Sequence, residues 1–208
     1  MVLCAHPDDQ IIGAGGTIAK YVQENKKVVV VIFSYGESSH PWLQKRVTRK
    51  MRKEESEKSL EIVGCTKSLY LGLEEGRFPE AFKKGKIEIQ IRKLIKNYNI
   101  KKIITHSIDD PHPDHAAVVK FALKLTSRMK KMEVFTFNVW NPFNLRKTRE
   151  PKMYVDISGT FDKKLAALKE FRSQRHVVAI LFGGMFIMDM MNGLKSKTKY
   201  AEAFLKIK

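Results

Sequence analysis

Short, continuously apolar runs alternate along this chain with longer stretches in which apolar positions recur every three or four residues. Val2 to Ala5 opens the series as a brief strand. Val28 to Ser34 follows as a β-branched run of the kind buried on both faces of a parallel sheet. Runs at Ser68 to Leu71, Ile103 to His106 and Val134 to Asn138 predict further strands. Between the runs, helical spacing predicts helices over Gly15 to Asn25, Trp42 to Val63, Lys86 to Tyr98 and Ala116 to Met129. In the second of these, Leu43, Val47, Met51, Leu60, Ile62 and Val63 mark the face expected to turn inward, and Gly64 stands as its stop. Beyond a polar, turn-rich stretch from Pro142 to Pro151, Tyr154 to Ile157 reads as an edge strand and Phe161 to Arg172 as a helix. Strands that alternate with helices predict an α/β fold, a Rossmann-like αβα sandwich around a mostly parallel sheet. There is no internal repeat and no long Pro- or Ser-rich linker, so residues 1–208 are expected to form a single domain. A chain of this length buries roughly 70% of its unfolded surface and needs no structural metal or disulfide for a core.

Composition narrows the class. Apolar residues at 43% and aromatics at 10% are those of a globular protein, and 12 Gly with 7 Pro exclude low-complexity chains. Two cysteines, Cys4 and Cys65, give neither a disulfide framework nor a Cys-rich zinc cluster, which points to a reducing, cytoplasmic setting. Met1 leads within a few residues to His-Pro-Asp-Asp, without the basic and apolar regions of a secretory leader. Val177 to Leu194 has the length of a short membrane span, but Asp189, Gly183, Gly184 and Gly193 interrupt it, and no transmembrane span is expected. Its Met185 to Met191 portion is pliable and apolar, suited to buried core, to an oligomer interface or to a lipid-facing lip. The net charge is +17, with Lys and Arg scattered along the chain and not gathered into a tail. With no nucleic-acid-binding motif beside it, that charge suits an anionic small molecule, a membrane surface, or a solvated and heat-adapted exterior.

Chemistry concentrates at two strand ends. Ala5-His6-Pro7-Asp8-Asp9 follows the first strand, and Pro111-His112-Pro113-Asp114-His115 lies between the Ile103 to His106 strand and the next helix. Open α/β sheets bind ligands beyond the carboxyl ends of their strands. His6 and Asp9, three apart across a tight turn, converge on one point, and His115 supplies a third ligand from the second loop. Three such ligands with an open position describe a catalytic Zn²⁺ site. Asp8, beside Asp9 but aimed elsewhere, is the candidate general base for a water there. His112, one turn before His115, faces the same cavity as a proton donor or oxyanion partner. Taken alone, each His-Pro-Asp is equally an ordinary helix start. Gly13 to Gly16 lacks the full spacing of a dinucleotide loop and reads as close helix packing. His40, after the second strand, lines the substrate mouth or forms a surface turn. Arg52 reaches the crevice to hold a phosphate or hydroxyls, or lies on a solvated face.

These two loops together resemble the LmbE/PIG-L family of zinc-dependent N-deacetylases. The similarity extends to Arg52-Lys53-Glu54-Glu55, to Leu71-Gly72-Leu73-Glu74-Glu75-Gly76 and, late in the chain, to Asp156-Ile157-Ser158, Lys164, Ser173-Gln174 and Lys199 to Phe204. Gln10 departs from it, standing where the family usually has Glu, as do Asp109 and Asp110, where some members place a Tyr. The resemblance implies zinc on His6, Asp9 and His115, with Asp8 and His112 catalytic and Arg52, Asp114 and His40 touching substrate. It implies removal of acetyl from an N-acetylglucosamine-type sugar, anionic or lipid-linked conjugates included, by a chain that assembles as a homo-oligomer. Cleavage of a larger sugar-linked amide or thiol conjugate, and non-catalytic binding of a sugar or anion, are the alternatives.

Overall fold

A computed structural model describes residues 1–139 and 152–208. The stretch from Pro142 to Pro151 expected to be turn-rich lies outside the described residues. The strands β1 (Val2–Cys4), β2 (Val29–Ile32), β3 (Lys67–Tyr70), β4 (Lys102–His106), β5 (Glu133–Phe137), β6 (Lys152–Asp156) and β7 (Ala201–Lys206) form one sheet. Its order is β3-β2-β1-β4-β5-β7-β6. The first five strands of that order pair in parallel, whereas β7 runs antiparallel to both β5 and β6.

Alternate strand residues face opposite layers, as the pleat requires. Val2, Cys4, Val30 and Ile32 pack against α1 (Asp9–Gln23), α2 (Lys45–Ile62), α6 (Phe161–Lys169) and α7 (Arg175–Ser196). Leu3, Val29, Val31 and Phe33 pack against α3 (Phe78–Lys83), α4 (Lys86–Asn97) and α5 (Pro113–Thr126). The result is the expected sandwich with a mostly parallel sheet, and β6 is indeed its edge.

Three elements depart from the sequence pattern. Helix α1 starts at Asp9, not Gly15, because the glycines that weaken helix propensity are needed for contact. A Cβ at Gly13 would fall 2.2 Å from the Phe137 ring, and one at Gly16 2.8 Å from Ile157. This is the close packing expected of Gly13 to Gly16. The inner face of α2 is polar, formed by Thr48, Arg52, Ser56 and Ser59 with Leu60, while Leu43 and Val47 are exposed, contrary to the apolar pattern. The inward polar stripe supports the charged groups described below. Strand β7 has no clean alternation in Ala201–Lys206, and its place depends on the buried Glu202. That carboxylate accepts the Gly16 and Thr17 amides of α1 and pairs with Lys164 at 2.7 Å.

Candidate metal centre

The order of the strands makes β1 and β4 neighbours on which the chain reverses its winding, so the loops after them face one crevice. The two strands share the register pair Val2 and Ile104, and side chains then tie them together. Thr105 Oγ1 donates to the Leu3 carbonyl at 3.0 Å, and the Ala5 amide donates to His106 Nε2 at 2.9 Å. The carboxyl ends are thereby spaced by a ring, and the two histidine loops open into that gap.

His6 Nδ1 lies 3.2 Å from His115 Nε2 and 3.5 Å from Asp9 Oδ2, while His115 Nε2 lies 3.4 Å from Asp9 Oδ1. A tetrahedral ion with bonds near 2.0–2.2 Å separates its ligand atoms by about 3.4 Å, so the donor set fits such an ion. The rest of the cluster holds these groups in place. Asp114 Oδ2 is 3.4 Å from His6 Nε2, and Asp110 Oδ1 is 3.0 Å from His115 Nδ1. Carboxylates behind ligand histidines fix ring orientation and raise basicity. Asp9 Oδ2 also accepts the His6 amide at 2.7 Å, which closes the turn.

Charge in the cluster points the same way. Burial disfavours protonation of His6, but Asp114, Asp9 and Asp8 outweigh it and push the ring up to about 10. Burial is likewise overcome at His115, which Asp9 and Asp110 push up to about 9. Asp9, despite its own burial, is held well below the carboxylate range, chiefly by His115. The raised histidines offset the carboxylates, with one proton lying in the 3.2 Å contact between His6 Nδ1 and His115 Nε2, and a divalent cation would place positive charge at the same point. His106 is different: burial and the charge of His115 push it down to about 4, and its Nε2 is taken by the Ala5 amide. It stacks on His115 at 3.8 Å as a neutral spacer.

The other expected site residues fall into two groups. Asp8, 7% exposed, sits beside the ligand set with Oδ2 3.2 Å from Arg52 Nη2. Arg52 is itself buried, not on a solvated face, and its Nε and Nη1 have no partner among the described residues. His112 caps α5, Nδ1 accepting the Asp114 amide at 3.2 Å, with its ring 4.8 Å from His6 and 4.7 Å from His115. Burial, with the charges on His6 and His115, lowers its pKa. Asp114 and His40 are placed elsewhere. Asp114 is buried between His6 and the Gly76 amide, behind a ligand and not at an open mouth. His40 bridges Ser39 Oγ and the Ser173 carbonyl, at 2.8 and 3.2 Å, and so joins the loop before α2 to the start of α7. Gln10 donates to the Pro7 carbonyl at 2.6 Å and to Ser56 Oγ at 3.3 Å, bracing the turn from below. Sequence reading passed over Asp110 and Gly76 as supports, whereas His106, at a strand end, reads from the sequence as core or as a support behind the site, and that is where it stands. Asp110 sits two residues before His112, where a carboxylate was noticed only as a departure.

Residues 1–126 match the family model PIG-L, GlcNAc-PI de-N-acetylase. A protein described as a probable N-acetyl-alpha-D-glucosaminyl L-malate deacetylase 2 from Bacillus cereus is 29% identical over 84% of this chain and 82% of its own. Among solved structures, the N,N'-diacetylchitobiose deacetylase of Pyrococcus horikoshii superposes with a TM-score of 0.80 at 22% identity, covering 99% of this chain and 83% of that one. The 4-carboxy-2-hydroxymuconate hydratase of Pseudomonas putida superposes equally well, TM-score 0.80 at 20% identity over 100% of this chain and 95% of that one. The fold is thus shared by two chemistries. With more than half of its length matched to the family model, including both histidine loops, the protein belongs to the PIG-L (LmbE-like) family of de-N-acetylases.

Proposed function

We propose that this deacetylase works through Zn²⁺ held by His6, Asp9 and His115, and that it releases acetate from an N-acetylated amino sugar of the N-acetylglucosamine type. The observation that carries the reading is the approach of His6 Nδ1, His115 Nε2 and the Asp9 carboxylate to within 3.2 to 3.5 Å of one another, with one Asp9 oxygen facing each ring, from two loops of one crevice. A divalent ion in that position polarises an amide carbonyl and acidifies a water. Asp8 takes the proton of the attacking water. Arg52 holds one oxygen of that carboxylate and leaves the other free for the transfer. In neutral His112 the Asp114 amide occupies Nδ1, so Nε2 carries the proton and donates a hydrogen bond to the oxyanion, while the proton that Asp8 took from water passes to the leaving nitrogen. The amide C–N bond breaks, the acyl carbon keeps the water oxygen, and acetate and a free amine leave.

Substrate recognition falls to Arg52, a guanidinium suited to sugar hydroxyls or a phosphate oxygen, whose Nε and Nη1 are unpartnered among the described residues and buried, so that contact requires the crevice to open around the substrate. Asp114 acts by orienting His6, and His40 by holding the loop before α2. Free thiols at Cys4 and Cys65 fit a reducing cytoplasm.

The test is a panel of free, phosphorylated, nucleotide-linked and lipid-linked N-acetylglucosamine derivatives, read by amine and acetate release in equal amounts on zinc-loaded protein. Release from at least one conjugate is expected. Hydration of an unsaturated dicarboxylate without amine release from any conjugate would assign the chain to the other chemistry of this fold.

A further inference from the structure

Helix α7 is docked on one side and bare on the other. Leu181 and Met185 enter the core, and Asp189 is fastened by buried Lys164 at 2.7 Å. The opposite side presents Ile180, Ile187, Met190, Met191 and Leu194 to solvent, Ile180 at 77% and Leu194 at 72% exposure. Ile187 to Leu194 run for about 10 Å at 1.5 Å per residue, and Ile180 stands beyond a 51° bend between Leu181 and Gly183. Exposed apolar surface of that extent marks an interaction face. No single helix among the described residues is long and apolar enough to cross a membrane; Arg172–Leu181 and Gly183–Ser196 reach that length and composition only together, across that bend, and Lys164 anchors Asp189 of the second piece to the body of the protein.

The surroundings identify what covers the face. Exposed Arg172 and Arg175 stand at its start, and Lys195, Lys197 and Lys199 at its end. Asp189 is the single acid in the 22 residues of α7, and it is turned inward. Trp42, 75% exposed, lies 5.2 Å from the His40 ring, which is bonded to Ser173 just before α7. An aromatic, an aliphatic stripe and flanking cations are the parts of an interfacial helix that rests on anionic lipid. A second copy is a poor match, because each chain carries +17 and pairing two such helices brings cationic ends together whichever way they run.

We propose that the outer face of α7, with Trp42, docks the protein on an anionic lipid bilayer, with the aliphatic stripe at the acyl boundary and the cations among the headgroups. This docking is independent of the chemistry assigned to the metal centre. Flotation with phosphatidylcholine vesicles, and with the same vesicles doped with phosphatidylglycerol, tests it. The protein should float with the doped vesicles and not with the neutral ones. Ile187→Ser combined with Leu194→Ser should weaken that binding at least about tenfold through lost apolar burial, with melting temperature and metal content unchanged. Lys195→Glu combined with Lys197→Glu, both at exposed positions, should also weaken it. Failure to bind doped vesicles would overturn the proposal, as would full binding by the serine variant. So would a dimer, seen in sedimentation, that the serine variant dissociates, since a second copy would then be the occupant.

Discussion

His6 and His115 hold protons that their unfolded counterparts release near the ordinary histidine value of about 6.5. Their folded values are raised, to about 10 and about 9. In metal-free protein this proton binding stabilises the fold fully below about pH 6.5, and the contribution is lost as pH rises through 9 and 10. An ion on the same nitrogens requires both rings neutral. Loading zinc at pH 7 should therefore release at least one proton per ion, measured by calorimetry in buffers of different ionisation heat, and affinity should climb with pH up to about 10. Release of none would remove the histidines from the ligand set. Asp8→Asn should keep metal and fold while kcat falls roughly 10²- to 10⁴-fold, the usual scale of general-base catalysis. Equal loss of metal in Asp8→Asn and Asp9→Asn would deny Asp8 a separate role. The convergence of His6, Asp9 and His115 was legible in the sequence because these residues belong to two short loops. Asp110 and Gly76 were not, since they act by three-dimensional contact with His115 and Asp114 and carry no spacing of their own.

At the scale of elements, one substitution has opposite signs in two helices. Gly13→Ala on α1 would press a Cβ into the Phe137 ring, which meets His106 edge-on at 5.0 Å. Overpacking of this kind costs about 1–3 kcal/mol, at least as much as the helix propensity of about 1 kcal/mol that alanine restores. Gly183→Ala on α7 meets nothing within 4 Å and should stabilise by up to about 1 kcal/mol. Denaturant titration of both variants checks the pair, and the same sign for both would show that contact at Gly13 does not set its identity. The parallel strands and most helices were readable because burial on both faces writes continuous apolar runs. The inner face of α2 was misread because its buried side chains, Arg52 and Ser56 among them, serve charge and not core. Strand β7 was missed because Glu202, its key residue, is polar and buried.

Across the whole molecule, Lys164 of α6 joins α7 through Asp189 and β7 through Glu202, and Glu202 in turn holds α1. Lys164→Met leaves two buried carboxylates without their cation and should cost about 3–5 kcal/mol in denaturant unfolding. A loss below about 1 kcal/mol would mean that packing alone holds these layers. The charge of +17 belongs to the same scale. If its field draws anionic substrates to the crevice, kcat/KM for a phosphorylated N-acetylglucosamine should exceed that for the neutral sugar and fall with salt, as the Debye length shrinks from about 30 Å at 0.01 M to about 8 Å at 0.15 M. A flat profile for both would make the lysines a solvated exterior. The mostly parallel sheet and the crevice beyond its strand ends were visible in the chain order, whereas the layer-joining triad appears only when distant residues meet. Acetate release by one protein sample, stripped of metal by chelator and then reloaded with one equivalent of zinc, bears most directly on the metal centre. Activity should vanish on stripping, return on reloading, and fail to return in His115→Ala; undiminished acetate release from stripped protein would contradict the assignment.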